Sequence, residues 1–151
     1  MPIRRMSKAD FEALAQFRYA LRRFLRFSEE VTRNSGVTPL QYQLMLQIKG
    51  FPGRDWANVD ELAERLQAQH HGVVALISRC EQAGWVKRHA SRGDKRRVEV
   101  QLTKKGEERL ELLARLHRDE LQSVKGGLSV RGVGAGRRQL ERAASRNAAV
   151  R

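Results

Sequence analysis

The chain has 151 residues and a hydrophobic content of 40%, ordinary for a globular protein and enough for one domain with a moderate core. Its 30 Lys and Arg against 17 Asp and Glu leave a formal net charge of +13, which favours a polyanionic partner, nucleic acid first. No apolar run approaches the roughly 20 residues of a membrane span, and Met1 to Lys8 lacks a signal-peptide apolar core, so a cytoplasmic protein is expected.

Charge alone also fits a solvated cationic surface or a membrane-surface role, and only the pattern along the chain separates these. From Asp10 to about Asn34, Phe11, Leu14, Phe17, Leu21, Phe24, Leu25 and Val31 form a helical stripe among arginines. Such a stripe reads as packing, against its own chain or a second subunit, rather than as a cofactor site. Ser35-Gly36 breaks it. Thr38-Pro39-Leu40-Gln41 then starts a second helix, with an N-cap, a proline at N1 and a glutamine at N3, and Leu40, Leu44, Met45 and Ile48 are its expected buried side. Gly50-Phe51-Pro52-Gly53 ends it, and Trp56-Ala57 fits a short third strand of a small sheet.

The next stretch carries the functional signal. Asn58, with Glu61 three residues on, opens a short helix whose inner face is Val59, Leu62, Ala63 and Leu66. After a polar break at Gln67 to Gln69, Val73, Leu76, Ile77 and Cys80 mark a second helix that stops at Gly84. Two short helices around a tight turn are a helix-turn-helix. The outward residues of the second, Gln69, His70, His71, Gly72, Val74, Ala75 and Ser78, offer donors, acceptors and small surfaces suited to base edges in a major groove. Val86 begins a strand, and Val98, Val100 and Leu102 alternate with Arg97, Glu99 and Gln101 as its partner. Between the strands, Ser91 to Arg96 form a cationic loop in which Arg92, Lys95, Arg96 and the adjoining Arg97 would serve phosphates or a minor groove. Thr103 caps a last helix to about Val124, with Leu110, Leu113, Leu116 and Leu121 as its stripe and Glu107 and Glu108 near its positive end. The expected fold is mainly α with a small β-hairpin wing (α+β): a winged helix-turn-helix lobe over residues 38–102, flanked by helices at 10–34 and 103–124.

DELAERL, ISRCEQAGWVKR and GDKRRVEVQLTKKGEE, with the upstream FRYALRRFLRF and TPLQYQLMLQIKGFPG, resemble the MarR family of winged-helix regulators over about Asp10 to Leu121. The resemblance implies a homodimer whose terminal helices interlock, a pseudopalindromic double-stranded DNA operator, repression, and release by a small-molecule effector or an oxidant. It also implies that Asp94 and Arg96 are the family's Asp-x-Arg wing motif, the acid holding the arginine as it enters the minor groove. Arg79 matches an arginine late in the recognition helix, which would contact phosphate, brace Asp94, or simply be solvated.

Other chemistry is poorly supported. His70 and His71 are adjacent on a helix and point about 100° apart, poor geometry for one metal without further ligands, so no metal or other cofactor is expected. Cys80 lies on an apolar position and reads as a small buried hydrophobe rather than a redox sensor. No nucleophile triad, paired carboxylate or phosphate loop stands out, which argues against an enzyme. Two alternatives stay open: a non-specific or architectural nucleic-acid-binding protein, and a metal- or redox-sensing regulator. Residues 125–151 form an atypical basic, Gly/Arg-rich tail with four glycines between Gly126 and Gly134, each costing about 1 kcal/mol against alanine in a helix. At most Gly136 to Asn147 would form a short helix. The tail reads either as an altered C-terminus or as a cationic arm that adds non-specific DNA affinity.

Overall fold

The structure is a computed structural model that describes residues 3–91, 93–94 and 96–123. The elements run α1 (Lys8–Asn34), α2 (Pro39–Lys49), β1 (Trp56–Asn58), α3 (Val59–Leu66), α4 (His70–Gln82), β2 (Val86–Ala90), β3 (Val98–Leu102) and α5 (Lys104–Ser123). The described residues divide into two compact units, one holding those up to Arg26 together with 120–123, the other lying within Phe27–Asp119. The tail from 125, for which a short helix at most was expected, lies outside the described residues.

In the first unit, α1 opens on a reciprocal cap: the Ser7 amide donates to the Asp10 carboxylate at 2.8 Å, and the Asp10 amide donates to Ser7 Oγ at 3.2 Å. Of the expected stripe, Phe11, Leu14 and Leu25 are exposed within the single chain and Phe17, Leu21 and Phe24 are half-buried; the buried residue of this stretch is Ala20, which the stripe did not include.

The second unit contains the winged lobe. Its three-stranded antiparallel sheet has the order β1-β3-β2, so β3 is central, pairing Ala57 with Val100 on one side and Arg88 with Val100 on the other. Alternation puts Val100 and Leu102 inward, on a core with Leu44, Met45 and Ile48 of α2, Leu62 of α3, and Val73, Leu76, Ile77 and Cys80 of α4. Both capping boxes form, at Thr38 with Gln41 and at Asn58 with Glu61.

Two inward-facing sets differ from expectation. Leu40 is 56% exposed, because it sits on the first turn of α2, beyond the edge of the core, and Tyr42 is buried instead. On α5 the buried line is Gly106, Leu110, Leu113 and His117, while Leu116 and Leu121 face outward. The 4-3-4 spacing of that line is a helix face in which a histidine has taken an apolar position. His117 is satisfied there. Its ring stacks on Tyr42 at 4.3 Å, Nδ1 lies 2.7 Å from the Leu113 carbonyl, and Nε2 lies 2.7 Å from Ser28 Oγ. A carbonyl can only accept, so Nδ1 carries the proton and donates. Among the described residues, no helix is long and apolar enough to cross a membrane.

Candidate nucleic-acid interface

The turn between α3 and α4 is set by Gln67, which adopts a left-handed φ of 50° and returns its side-chain amide to the Glu64 carbonyl at 2.8 Å. A non-glycine residue there is uncommon, and the local hydrogen bond offsets part of the strain. α4 then starts at His70 with Gln69 as N-cap, and the Gln69 side chain makes no capping hydrogen bond. The first amides of α4 are therefore uncapped by a side chain, and the positive end of the helix is open.

Gln69, His70, His71, Gly72, Ala75 and Arg79 are exposed, while Val74 and Ser78 are half-buried. Ser78 is engaged within the fold, its Oγ accepting from Arg88 Nη2 at 3.1 Å, and Arg88 also donates to Glu81. Arg88 thereby fastens β2 to α4, and its hydrogen bond holds the Glu81 carboxyl below the usual carboxylate range. His70 Nδ1 lies 2.8 Å from Asp60 Oδ1 on α3.

In the wing, Asp94 Oδ1 accepts the Arg96 amide at 3.0 Å, and the Arg97 amide donates to the Asp94 carbonyl at 3.0 Å. Asp94 thus organises the turn that presents Arg96 through its backbone. Among the described residues there is no ion pair between Arg79 and Asp94. Arg96 and Arg97 are exposed, and Arg92 and Lys95 lie outside the described residues. An open cleft of about 420 Å³ brings the two halves together, with Asn58, Asp60 and Glu61 from the start of α3, His70 from α4, and Arg96 and Arg97 from the wing.

Sequence pattern did not single out Asp60, Arg54 or Arg88. Arg54 stacks on Trp56 at 3.9 Å and on Phe51 at 4.2 Å while pairing with Glu61, so it braces Glu61 at the start of α3. A cation between two aromatics near a helix N-terminus was a legible signal; the Asp60 and Arg88 partners, seven to ten residues away, were not. Cys80 is fully buried, and burial pushes its thiol up to about 11. Among the described residues, no group of three or more His, Cys, Asp and Glu is placed to hold a metal ion.

Residues 35–97 match the sequence model of the MarR family. No curated protein sequence matches the chain. Among solved structures, AbsC, a MarR family transcriptional regulator from Streptomyces coelicolor, superposes with a TM-score of 0.70 at 17% identity, over 99% of this chain and 100% of its own. Sco3205, a MarR family regulator from the same organism in complex with DNA, gives 0.67 at 20% identity, covering 96% and 91%. A mutant MarR from E. coli complexed with operator DNA gives 0.64 at 22%, covering 83% and 89%. At these identities the likeness establishes the fold.

Proposed function

With the MarR family match over residues 35–97 and the fold of solved MarR family regulators as premise, we propose that this chain is a sequence-specific DNA-binding transcriptional regulator and not an enzyme. The observation that carries the reading is the cleft that sets His70, at the open start of α4, beside Arg96 and Arg97 of the wing. A helix of this kind presents its N-terminal side chains to base edges, and an adjoining basic hairpin holds the backbone or minor groove. Gln69, His70, His71, Gly72, Val74 and Ala75 are assigned to the major groove. Arg79, Arg92, Lys95, Arg96 and Arg97 are assigned to phosphates and the minor groove, with Asp94 shaping the wing.

The acting species is a homodimer on a pseudopalindromic operator, with residues 1–124 forming one regulator module in which the helices at 10–34 and 103–124 pair across the two-fold axis. Support comes from the apolar side chains those helices leave open, Phe11, Leu14, Tyr19 and Leu25 on α1 and Leu112, Leu116 and Leu121 on α5. Repression in the cytoplasm, relieved by a small-molecule effector, completes the proposal by analogy with the family.

The deciding experiment selects bound duplexes from a random library at about 150 mM salt with competitor DNA, where purely electrostatic binding is weakened. Enrichment of a two-half-site sequence with centres about one helical turn apart is the expected outcome. Binding without enrichment would instead identify a non-specific or architectural protein.

A further inference from the structure

The cleft between wing and helices contains a feature that DNA binding alone does not call for. Asp60, an acid, lines the cleft opposite Arg96 and Arg97 with its side chain 87% exposed. Its neighbour Glu61 is already engaged, accepting the Asn58 amide at 3.1 Å and pairing with Arg54. Among the described residues, the only basic partner of Asp60 is His70, 62% exposed and charged only when protonated. A carboxylate beside a phosphate backbone is repulsive unless its charge is offset, and here the group that offsets it is an imidazole, which does so only when it holds a second proton.

Resting on the DNA-binding reading above, we propose that Asp60 and His70 form a proton-dependent recognition pair, in which DNA binding takes up one proton onto the imidazole. Asp60 accepts Nδ1–H. Because the two ring nitrogens point away from one another, this turns Nε2 away from α3, and in the protonated ring Nε2–H donates to an acceptor on DNA, either a phosphate oxygen or the N7/O6 edge of a guanine. Asp60 is the positioning residue and His70 the contacting one. The other charged or titratable groups lining the cleft are Glu61 on α3 and Arg96 and Arg97 on the wing, and His71 follows His70 on α4. Glu61 is held in its ion pair with Arg54, and of the two histidines only His70 has a carboxylate partner among the described residues, so the proton is assigned to His70.

The sign follows from linkage. When the complex binds one more proton than the free partners, affinity rises as pH falls, with a limiting slope of about tenfold per pH unit. Above the range in which the imidazole is protonated, Asp60 faces DNA uncompensated.

The test measures the dissociation constant of the full chain for its selected operator and for an unrelated duplex, at constant ionic strength from pH 6 to 8.5, for the wild type, His70→Gln and Asp60→Asn. Both side chains are mostly solvent-exposed, so the variants should fold, and thermal melts are the check on that. The wild type should weaken as pH rises, and His70→Gln should lose that slope. Asp60→Asn should bind more tightly than the wild type at pH 8.5, since the repulsive charge is gone. A slope confined to the operator identifies guanine as the acceptor, and one shared by both duplexes identifies phosphate. If His70→Gln retains the full slope, the pair is not the proton site. If Asp60→Asn weakens binding by the same factor at every pH, Asp60 is only a tether between α3 and α4 and the proposal falls. A wild type that binds neither duplex would remove the DNA-binding reading itself, a result distinct from both.

Discussion

The Cβ that Gly106 lacks would lie 2.0 Å from the carbonyl oxygen of Trp85 and 2.9 Å from its carbonyl carbon. Close approach is required because Thr103, the cap of α5, donates from Oγ1 to the Gly84 carbonyl at 2.6 Å and accepts the Gly106 amide at 3.0 Å, drawing the first turn of α5 onto the Gly84-Trp85 backbone. Neither backbone can give way without breaking this cap. Gly106→Ala, which raises intrinsic helix propensity, should therefore destabilise the fold by about 3 kcal/mol, the upper range for overpacking. Denaturant unfolding checks it, and a neutral or stabilising result would mean α5 is free to lift.

Gly72 gives the opposite expectation. An added Cβ there meets nothing within 4 Å, and the residue sits in the first turn of α4. Alanine should stabilise the free protein by up to about 1 kcal/mol. If glycine is there so that DNA can approach the backbone, the same substitution should weaken operator binding by about tenfold, or 1.4 kcal/mol. Equal or tighter binding by Gly72→Ala would leave its presence without a functional account.

Arg96→Ala separates the wing's side chain from its scaffold, because Asp94 holds the turn through the Arg96 backbone amide, which the substitution leaves in place. Binding should weaken on all sequences, and the slope of log affinity against log salt should flatten by about one unit. His71→Ala should change which base is preferred in the half-site, by about 1–3 kcal/mol of discrimination. A uniform loss across all duplexes would move His71 from the base-reading set to the phosphate set.

Cys80 should be inert in the folded protein. Its thiol, raised by burial from 9.0 to about 11, is protonated at pH 7.5, and no surface of it is exposed. Thiol reagents should label it only on unfolding, and peroxide should leave DNA binding intact. The raised value also fixes the sign of an alkaline effect: this thiol's contribution to stability is fully present below pH 9 and is lost as pH rises through about 11. Rapid labelling under native conditions would reopen a redox role.

Light scattering on the full chain should give twice the chain mass. Phe11, 56% exposed, and Leu121, 43% exposed, have little core packing to lose within the single chain, so Phe11→Asp and Leu121→Asp should yield folded monomers with weakened operator binding. A monomeric wild type would withdraw the dimer from the proposed function.

The order of elements was legible in the sequence because its signals are local. Capping boxes at Thr38 and Asn58, the glycine at 84 with its φ of 82°, and the period-two strand ending at Leu102 all act within a few residues. Periodicity was less informative about which flank of a helix faces inward. It chose Leu40 over Tyr42 and Leu116 over His117, because apolar character was taken as a proxy for burial, and the Tyr42–His117 stack buries two polar-tipped rings instead. Much of the candidate site depends on pairs that no periodicity announces. His70 was legible as an outward residue of the recognition helix, but its tie to Asp60 was not, nor was the clamp of Arg88 on Ser78 and Glu81.

Asn58 is at once the last residue of β1 and the N-cap of α3, so strand and helix share a residue with no linker between them. Through β1 it is also paired with Glu99 of β3, the strand that continues from the wing. There is no slack in that line. Any displacement of the hairpin therefore reaches the first turn of α3 through a single shared residue. If the chain binds DNA as proposed, hairpin and helix meet at one shared residue, and less ordering is left for recognition to impose.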